Sequence, residues 1–294
     1  MLVVGAVFVD VKGFAQNHYL PLERNVGEVQ VTAGGVCRNV AENFVKLGVK
    51  AQFVSMVDDN ALGRDVRERL AALGVGVDHV IAAEKGMGMW LAILDESGNL
   101  AGSISRQPDF SAMERYLDEH GDAVMASAEG VVLEVDTNAA ISQRVLSLAK
   151  QHGKPVYSIV GNMGVILRHP EYLHDVACFI CNEMEAGRLF RADLTHLEPE
   201  AMLEALKRGS AVAGIKAMVI TMGPQGAVYV DNVTGEFGYC PPLDVEVVDT
   251  TGAGDAFFSA AVAALMVGAP LSQAVQEGTK LAAQTLRVAG SCAE

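Results

Sequence analysis

The sequence of 294 residues has few of the features that mark several large classes of protein. It contains five cysteines, an odd and sparse set that does not resemble a disulfide framework. No window holds the roughly 20 apolar residues that a membrane-spanning helix needs. The amino-terminal stretch MLVVGAVFVDVKG has neither the basic region nor the cleavage site of a signal peptide. We therefore interpret it as a buried first strand and expect a cytoplasmic protein.

Basic charge is also scarce. The chain has 22 Lys and Arg against 36 Asp and Glu, a formal net charge of −14 at pH 7. A surface this acidic repels nucleic acid and anionic membranes, so we expect neither as the main partner. A small anionic ligand is still compatible with this charge, because a pocket can be locally positive.

One cysteine pair has CxxC spacing. Cys178 and Cys181 lie within the apolar run VACFICNE, which is typical of a buried strand. A redox pair would begin a helix, and a structural zinc site would need two further ligands nearby. We interpret both cysteines as small residues of the core.

Apolar strand-like runs alternate with amphipathic helical patterns along most of the chain. Several strands are apolar at nearly every position, as expected when both faces of a sheet are covered. This alternation predicts an α/β protein with a mainly parallel sheet. Strands are predicted at 2–9, 52–57, 130–136, 155–160, 178–182, 217–222 and 226–231. Helices are predicted at 38–47, 63–73, 138–152, 183–190, 199–213, 254–267 and 271–285.

Two segments interrupt that alternation. Residues 10–33 and 86–105 contain strand-like stretches such as EVQVTA, and the second segment has ESGN at a hairpin turn. We interpret both as insertions that form a small projecting sheet. An exposed face on such a sheet suits a lid, a dimer surface or both. A plain pair of surface hairpins is the alternative.

The string DTTGAGDAFFSA, residues 249–260, is the strongest functional signal. Gly252-Ala253-Gly254 precedes a helix that we expect to start near Asp255. Free amides at a helix start bind anions, and small residues let a phosphate come close to the backbone. A carboxylate beside a phosphate is costly unless it has a chemical task, such as accepting the proton of an attacking hydroxyl. The alternative is that Asp255 only caps the helix.

A second cluster, TAGGVCRNVAENFVKLG at 32–48, places Gly34 and Gly35 before a helix that bears Arg38 and Asn39. Paired glycines let the backbone approach a ligand, and an Asn side chain offers a donor and an acceptor to hydroxyl groups. An ordinary loop-to-helix junction explains the same letters.

Two further clusters follow strands. Asn182 and Glu185 lie three residues apart on one helical face, where they can orient waters around Mg²⁺ or simply begin a solvated helix. Thr221-Met-Gly-Pro-Gln-Gly226 ends a strand and can contact nucleotide phosphate, although a Gly/Pro hairpin explains it equally well.

Other nucleotide-binding patterns are missing from the sequence. It contains no GxxxxGK[ST], the first strand is not followed by GxGxxG, and the protein-kinase motif set is absent. These absences exclude a P-loop kinase and disfavour a NAD-linked oxidoreductase.

The four clusters, in this order, resemble the ribokinase-like family of carbohydrate and nucleoside kinases, also called the PfkB family. Its two signatures are similar to GGVCRNVAENFVKLG and DTTGAGDAFFSA, and the resemblance covers nearly the whole chain. It implies one doubly wound α/β domain over 1–294 with a small β-sheet lid, and a homodimer formed through that lid. It also implies ATP-dependent phosphorylation of a primary hydroxyl on a small sugar or nucleoside.

The resemblance also assigns roles to individual residues. Asp255 is implied as the catalytic base, with an anion hole made by the amides of Gly252, Ala253 and Gly254. The cofactors are implied to be ATP and Mg²⁺, held by Asn182, Glu185, Thr221, Gly223 and Gly226. Substrate hydroxyls are implied at Asp10, Gly34, Gly35, Asn39 and Glu134. Asp249 and Thr251 correspond to a monovalent-cation (K⁺) site of some members.

Within the family, several strings are most similar to pseudouridine kinases, so pseudouridine is the favoured substrate. These strings are VDVKG (9–13), GGVCRNVAENF (34–44), LAILDESGNL (91–100) and AAQTLRVAGS (282–291).

The chain also departs from the family pattern. Phe8 replaces the usual Asn before Asp10, Arg106 or Gln107 replaces a polar or acidic lid residue, and 158–162 replaces an Asp-containing turn. Arg106 or Gln107 would admit a different or more anionic substrate. Ribose, fructose and 2-keto-3-deoxygluconate are alternative substrates, and a sensor that binds sugar or nucleotide without turnover is the alternative function.

Overall fold

A computed structural model describes residues 1–288 of the chain, so Cys292 and the end of the 282–291 string lie outside the described residues. The strands are β1 (Leu2–Val4), β2 (Phe8–Ala15), β3 (Gly27–Gly34), β4 (Gln52–Asp58), β5 (Val80–Ala83), β6 (Gly88–Leu94), β7 (Leu100–Arg106), β8 (Val131–Glu134), β9 (Val156–Ile159), β10 (Cys178–Asn182), β11 (Ala217–Thr221), β12 (Ala227–Asp231) and β13 (Phe237–Cys240). The helices are α1 (Val36–Lys46), α2 (Ala61–Ala72), α3 (Ser111–Ala126), α4 (Ala139–Gln151), α5 (Glu183–Phe190), α6 (Pro199–Val212), α7 (Ala253–Met266) and α8 (Leu271–Thr285).

Nine strands form the large sheet in the order β13-β12-β11-β10-β9-β8-β1-β4-β5. Its strands from β11 to β5 pair in parallel, whereas β12 and β13 add an antiparallel hairpin at one edge. The prediction of a mainly parallel sheet is confirmed. Because the parallel strands end at one edge, residues that follow them collect there, which is where α/β proteins bind ligands.

Helices cover both faces of the large sheet, so the doubly wound arrangement is also confirmed. One buried cluster lies beneath α3, α4, α5 and α6, and the other lies beneath α1, α2, α7 and α8. Cys178 belongs to the second cluster and Cys181 to the first, because they point to opposite faces of β10. Both are free thiols in the core.

The small sheet has the strand order β3-β2-β6-β7. Its central strands β2 and β6 are parallel, and each forms an antiparallel pair with its outer neighbour. We call its two faces the aliphatic face, which carries Val29, Val31, Leu91 and Ile104, and the Asp10 face. The four aliphatic side chains are 38% to 72% exposed.

The predicted strand over 2–9 is wrong in one respect, because the structure breaks it between Val4 and Phe8. There the chain leaves the large sheet and enters the small one. The amide of Ala6 donates to Oε2 of Glu134, and the carbonyl of Gly5 accepts from Ser55. A side chain on Gly5 would meet Cys37 and Glu134. An apolar run carries no sequence signal of these long-range contacts, so the break could not be predicted from it.

Three elements were not predicted, namely α3, β5 and β13. The buried residues of α3 include Met113, Leu117 and Val124, so helical spacing is present in its sequence. Gly121 interrupts it, because a side chain there would meet Leu148 of α4. Among the helices of the described part of the chain, none has the length and apolarity needed to cross a bilayer.

Candidate active site

Helix α7 begins directly after the small-residue loop. Gly252 occupies the N-cap position with φ 76°, a left-handed conformation that favours glycine, and no side chain caps the helix. The first bond within the helix joins the Ala256 amide to the Gly252 carbonyl at 2.9 Å. The amides ahead of it form the helix start, although Ala253 also donates to Thr250 over 3.4 Å. A side chain on Gly254 would meet no atom within 4 Å, so the loop is open to a ligand.

Asp255 is the third residue of α7 rather than its cap. Its Oδ2 accepts a hydrogen bond of 2.6 Å from Nδ2 of Asn39, which lies on α1. Burial raises the pKa of Asp255 to about 6, the Asn39 hydrogen bond and the charge of Arg38 oppose that rise, and Glu185 adds to it. Asp255 therefore does not cap α7 through its side chain, and its role as a proton acceptor stays a prediction.

The start of α1 joins the two sheets. Gly35 is its N-cap with φ 108°, and a side chain there would meet the carbonyl of Ala6. Arg38 is buried, and its guanidinium group contacts the protein itself. It pairs with Glu42 at 2.6 Å and donates to the carbonyl of Ala33 at 2.6 Å. Arg38 therefore fixes the end of β3 against α1, which positions Asn39.

Asp10 lies on β2, close to Gly34 of β3. A Cβ on Gly34 would stand 3.0 Å from Oδ2 of Asp10, a tight contact that would push the carboxyl group aside by a few tenths of an ångström. Burial raises the pKa of Asp10, against the charges of Lys12 and Arg38. Asp10, Gly34 and Asn39, which are predicted to bind the hydroxyl groups of the substrate, thus lie where β2, β3 and the start of α1 meet.

Glu134 ends β8 and is buried. Its Oε2 accepts from the Ala6 amide at 3.0 Å, yet desolvation raises the pKa of Glu134 to about 8, with the charges of Asp136 and Asp255 adding to the effect. At neutral pH the group is therefore mostly a neutral acid, which can donate a hydrogen bond.

Asp136 is a residue that the sequence analysis missed. Its carboxylate accepts from the amides of Gly161 at 3.1 Å and Asn162 at 2.6 Å, and burial raises its pKa to about 6. The turn after β9, which departs from the family pattern, is thus held by a carboxylate from the neighbouring strand. The signal was the spacing of Glu134 and Asp136, two residues apart at the end of an apolar run.

Asn182 and Glu185 form a capping box at the start of α5. Oδ1 of Asn182 accepts from the Glu185 amide, and Oε2 of Glu185 accepts from the Asn182 amide, both at 2.9 Å. Burial raises the pKa of Glu185. Among residues 1–288, no group of three or more His, Cys, Asp or Glu side chains could hold a metal ion. The single carboxylate of Glu185 nevertheless fits Mg²⁺, because in nucleotide sites this ion is held by one or two carboxylates together with waters and phosphates.

The turn between β11 and β12 holds three predicted nucleotide contacts. Thr221 donates to the Cys181 carbonyl over 3.4 Å, and Gly223 (φ 53°) is exposed with open space around it. Gly226 (φ 86°) packs on the backbone of 240–242. A cavity of about 330 Å³ continues from that segment, lined by Leu243, Asp244, Val245, Lys280, Ala283, Gln284 and Arg287.

The structure also locates the departures from the family pattern. Arg106 donates to Oδ2 of Asp58 at 2.7 Å and to the Met87 carbonyl at 3.0 Å, so it anchors the small sheet to the end of β4. This contact gives Arg106 a structural role, and the expectation that Arg106 or Gln107 admits a different or more anionic substrate stays a prediction. Asp249 accepts from the Thr251 amide at 2.9 Å ahead of α7.

Comparisons with known proteins agree on one family. A model of the pfkB family of carbohydrate kinases matches residues 1–294. A guanosine-inosine kinase from Exiguobacterium acetylicum is 35% identical over 288 residues, covering 97% of this chain and 93% of that protein. A pseudouridine kinase from Escherichia coli (strain K12) is 26% identical over 278 residues, covering 94% and 87% respectively.

A solved structure supports the fold. The structure of Arabidopsis thaliana ribokinase complexed with ribose and ATP matches with a TM-score of 0.88 and 23% identity, over 100% of this chain and 95% of that chain. The expected α/β fold with a second, smaller sheet is confirmed.

Proposed function

The chain belongs to the PfkB family of carbohydrate kinases, and from that membership we propose that it transfers the γ-phosphoryl group of ATP to a primary hydroxyl of a nucleoside. The observation that carries the proposal is the carboxyl group of Asp255, oriented by Asn39 at the open start of α7. Of the other predicted site residues, Glu185 and Glu134 lie close enough to Asp255 for their charges to influence one another.

In the proposed reaction, Asp255 accepts the proton of the acceptor hydroxyl as the hydroxyl oxygen attacks the γ-phosphorus in line. The bond between the γ-phosphorus and the bridging oxygen breaks, and ADP leaves. The amides of Gly252, Ala253 and Gly254 stabilise negative charge on the transferred group, because donors fixed at a helix start need no reorganisation. The small sheet acts as a lid that excludes water, which would otherwise compete as acceptor.

We assign the nucleotide to the neighbouring edge of the large sheet. Thr221, Gly223 and Gly226 would contact its phosphates, and the 330 Å³ cavity would hold its base. Asn182 and Glu185 would hold Mg²⁺ through water, and the metal would supply charge neutralisation on the phosphates. Asp249 and Thr251 are the proposed place for K⁺.

The acceptor would lie between the lid and α1, with its hydroxyl groups held by Asp10, Gly34, Gly35, Asn39 and Glu134. Guanosine and inosine are the first candidates, because the relative of that name is 35% identical over nearly the full length of both chains. Pseudouridine, favoured from local strings, is the second candidate, supported by a relative at 26% identity. Because ATP would be the donor, we expect the reaction in the cytoplasm.

We further propose that the protein is a homodimer formed through the aliphatic face of the small sheet. Four apolar side chains stand exposed together on two adjoining strand pairs there: Val29, Val31, Leu91 and Ile104. A second copy would bury this patch, which is costly to leave in water.

The test is ATP consumption by the purified protein with Mg²⁺ across guanosine, inosine, pseudouridine, ribose, fructose and 2-keto-3-deoxygluconate. We expect the highest kcat/KM on a nucleoside and a nucleoside 5′-monophosphate as the product in mass spectrometry. Turnover of a free sugar with none of any nucleoside would contradict the proposed acceptor. Binding of a nucleoside without ATP consumption would favour the sensor.

A further inference from the structure

The Asp10 face of the small sheet carries aromatic side chains. Asp10 of β2 pairs with Trp90 of β6, and Phe8 pairs with Gly88 two residues earlier. Register partners and residues two apart lie on the same face of a sheet. Phe8, Asp10 and Trp90 therefore point to one side, the side on which Asp10 approaches Gly34.

Phe8 crosses the neighbouring strand. A side chain on Gly88 would overlap the ring of Phe8, so the ring lies over β6 where this strand has no side chain. Phe8 and Trp90 both retain partial exposure. Among residues 1–288, the aromatic ring pairs include neither of them, so their faces are not used by another ring.

The distribution of residue types between the two faces is uneven. The aliphatic face exposes Val, Leu and Ile, whereas the aromatic residues of the small sheet, Phe8, Phe14 and Trp90, all lie on the Asp10 face by strand alternation. Packing alone does not require aromatic rings beside a carboxylate that must stay accessible. A ligand that joins a planar ring to a polyhydroxyl group requires both.

We propose that Phe8 and Trp90 form the wall that receives the nucleobase of the acceptor, and that they select nucleosides over free sugars. The inference rests on the proposed function, since it concerns the same acceptor site. Asp10 accepts hydrogen bonds from the sugar hydroxyl groups. The base stacks against the rings of Phe8, two residues before Asp10 on β2, and Trp90, beside Asp10 on β6. Phe8, which removes the polar group that usually precedes Asp10, thereby gains a role in selectivity.

Trp90 is the single tryptophan of the chain, so intrinsic fluorescence reports on this wall directly. We would titrate the wild-type protein, without ATP, with inosine, guanosine, pseudouridine and ribose. The nucleosides should change the emission saturably, and ribose should leave it unchanged.

Variants then test selectivity in steady-state kinetics. Trp90→Ala should raise KM for the nucleoside at least about tenfold, equivalent to about 1.4 kcal/mol, with kcat within about twofold of wild type. Trp90→Phe should restore KM to within about threefold because it retains a ring. Phe14→Ala is the matched control, because Phe14 lies on the same face but four residues, or about 13 Å, beyond Asp10 along β2. This variant should behave as wild type.

The outcomes separate this inference from the kinase proposal. Nucleoside turnover with unchanged fluorescence, and with an unchanged KM in Trp90→Ala, would overturn the aromatic wall and leave the function standing. A saturable response without turnover would support the wall and contradict the kinase. Absence of both binding and turnover would overturn both, and the fluorescence titration stays decisive even if Trp90→Ala fails to fold.

Discussion

A carboxyl group that accepts a proton near neutral pH is most effective when its pKa lies close to that pH, and Asp255 is brought there by its surroundings. Burial raises its pKa to about 6, and the Asn39 hydrogen bond limits the rise. The base must be ionised to work, so we expect kcat/KM to increase with pH through about 6 and to level off above it.

Asn39→Ala should move this limb to higher pH, because it removes the hydrogen bond that lowers the pKa of Asp255. A pH profile of both proteins, measured with the best acceptor, checks this expectation. A limb near pH 4 in the wild type would contradict the raised pKa of Asp255, and a limb that stays in place or moves downward in the variant would show that Asp255 is not the titrating group.

The buried carboxyl group of Glu134 makes the stability of the protein depend on pH. Its pKa of about 8 in the folded protein lies above the ordinary 4.5, so the folded chain retains a proton that the unfolded chain releases. The resulting stabilisation is fully present below pH 4.5 and is lost as pH rises through about 8. Glu134→Gln stays neutral throughout.

Thermal unfolding between pH 7 and pH 9 tests this prediction. The wild-type Tm should fall over that range, and the Tm of Glu134→Gln should fall clearly less. Glu84→Gln, at an exposed position, should follow the wild type. Parallel curves for all three proteins would mean that Glu134 is ionised at neutral pH.

Among the elements, an ion pair helps to anchor the small sheet to the end of β4. Arg106 of β7 meets Asp58, which is 5% exposed and also accepts from the Met87 amide at 2.9 Å. Arg106→Ala should lower the free energy of unfolding by about 1–2 kcal/mol, a moderate loss since the Arg106 side chain is 37% exposed and partly screened by water.

Urea denaturation gives this value. Arg69→Ala is the matched control, because it removes an Arg–Asp pair on the exposed surface of α2, at 74% and 49% side-chain exposure, and should cost at most about 0.5 kcal/mol. Equal effects of the two substitutions would contradict the anchoring role of Arg106.

The sequence predicts elements well where their signal is local. The bounds of α5 and α8 agree with the prediction to the residue, because each has amphipathic spacing and a distinct start. The break between β1 and β2 was not predictable, since both sides are apolar and the break depends on Glu134 and Ser55, far along the chain. The contacts of Asp136 were likewise not predictable, because its partners Gly161 and Asn162 follow the neighbouring strand β9.

For the site, two short strings were sufficient to identify Asp255 and Asn39 as candidates, but not their hydrogen bond, which joins residues 216 positions apart. The sequence likewise could not reveal that Arg38 and Arg106 are occupied in structural contacts. Spacing shows which residue types are near in sequence, and only the fold brings distant ones together.

For the whole molecule, the proposed dimer depends on the aliphatic face. Ile104 is 72% exposed, so Ile104→Glu should place a charge within the proposed interface and yield monomers. Ser103→Glu adds the same charge on the opposite face of the same strand and should leave the dimer intact. Light scattering after gel filtration distinguishes these results, and a monomeric wild type would contradict the proposal.

The central claim is that this chain transfers a phosphoryl group with Asp255 as the base. The most direct measurement compares kcat of the wild type and Asp255→Asn on the best nucleoside, with binding followed by Trp90 fluorescence in both. We predict a loss of at least about a hundredfold in kcat with nucleoside binding retained. Wild-type activity surviving in Asp255→Asn would contradict the account.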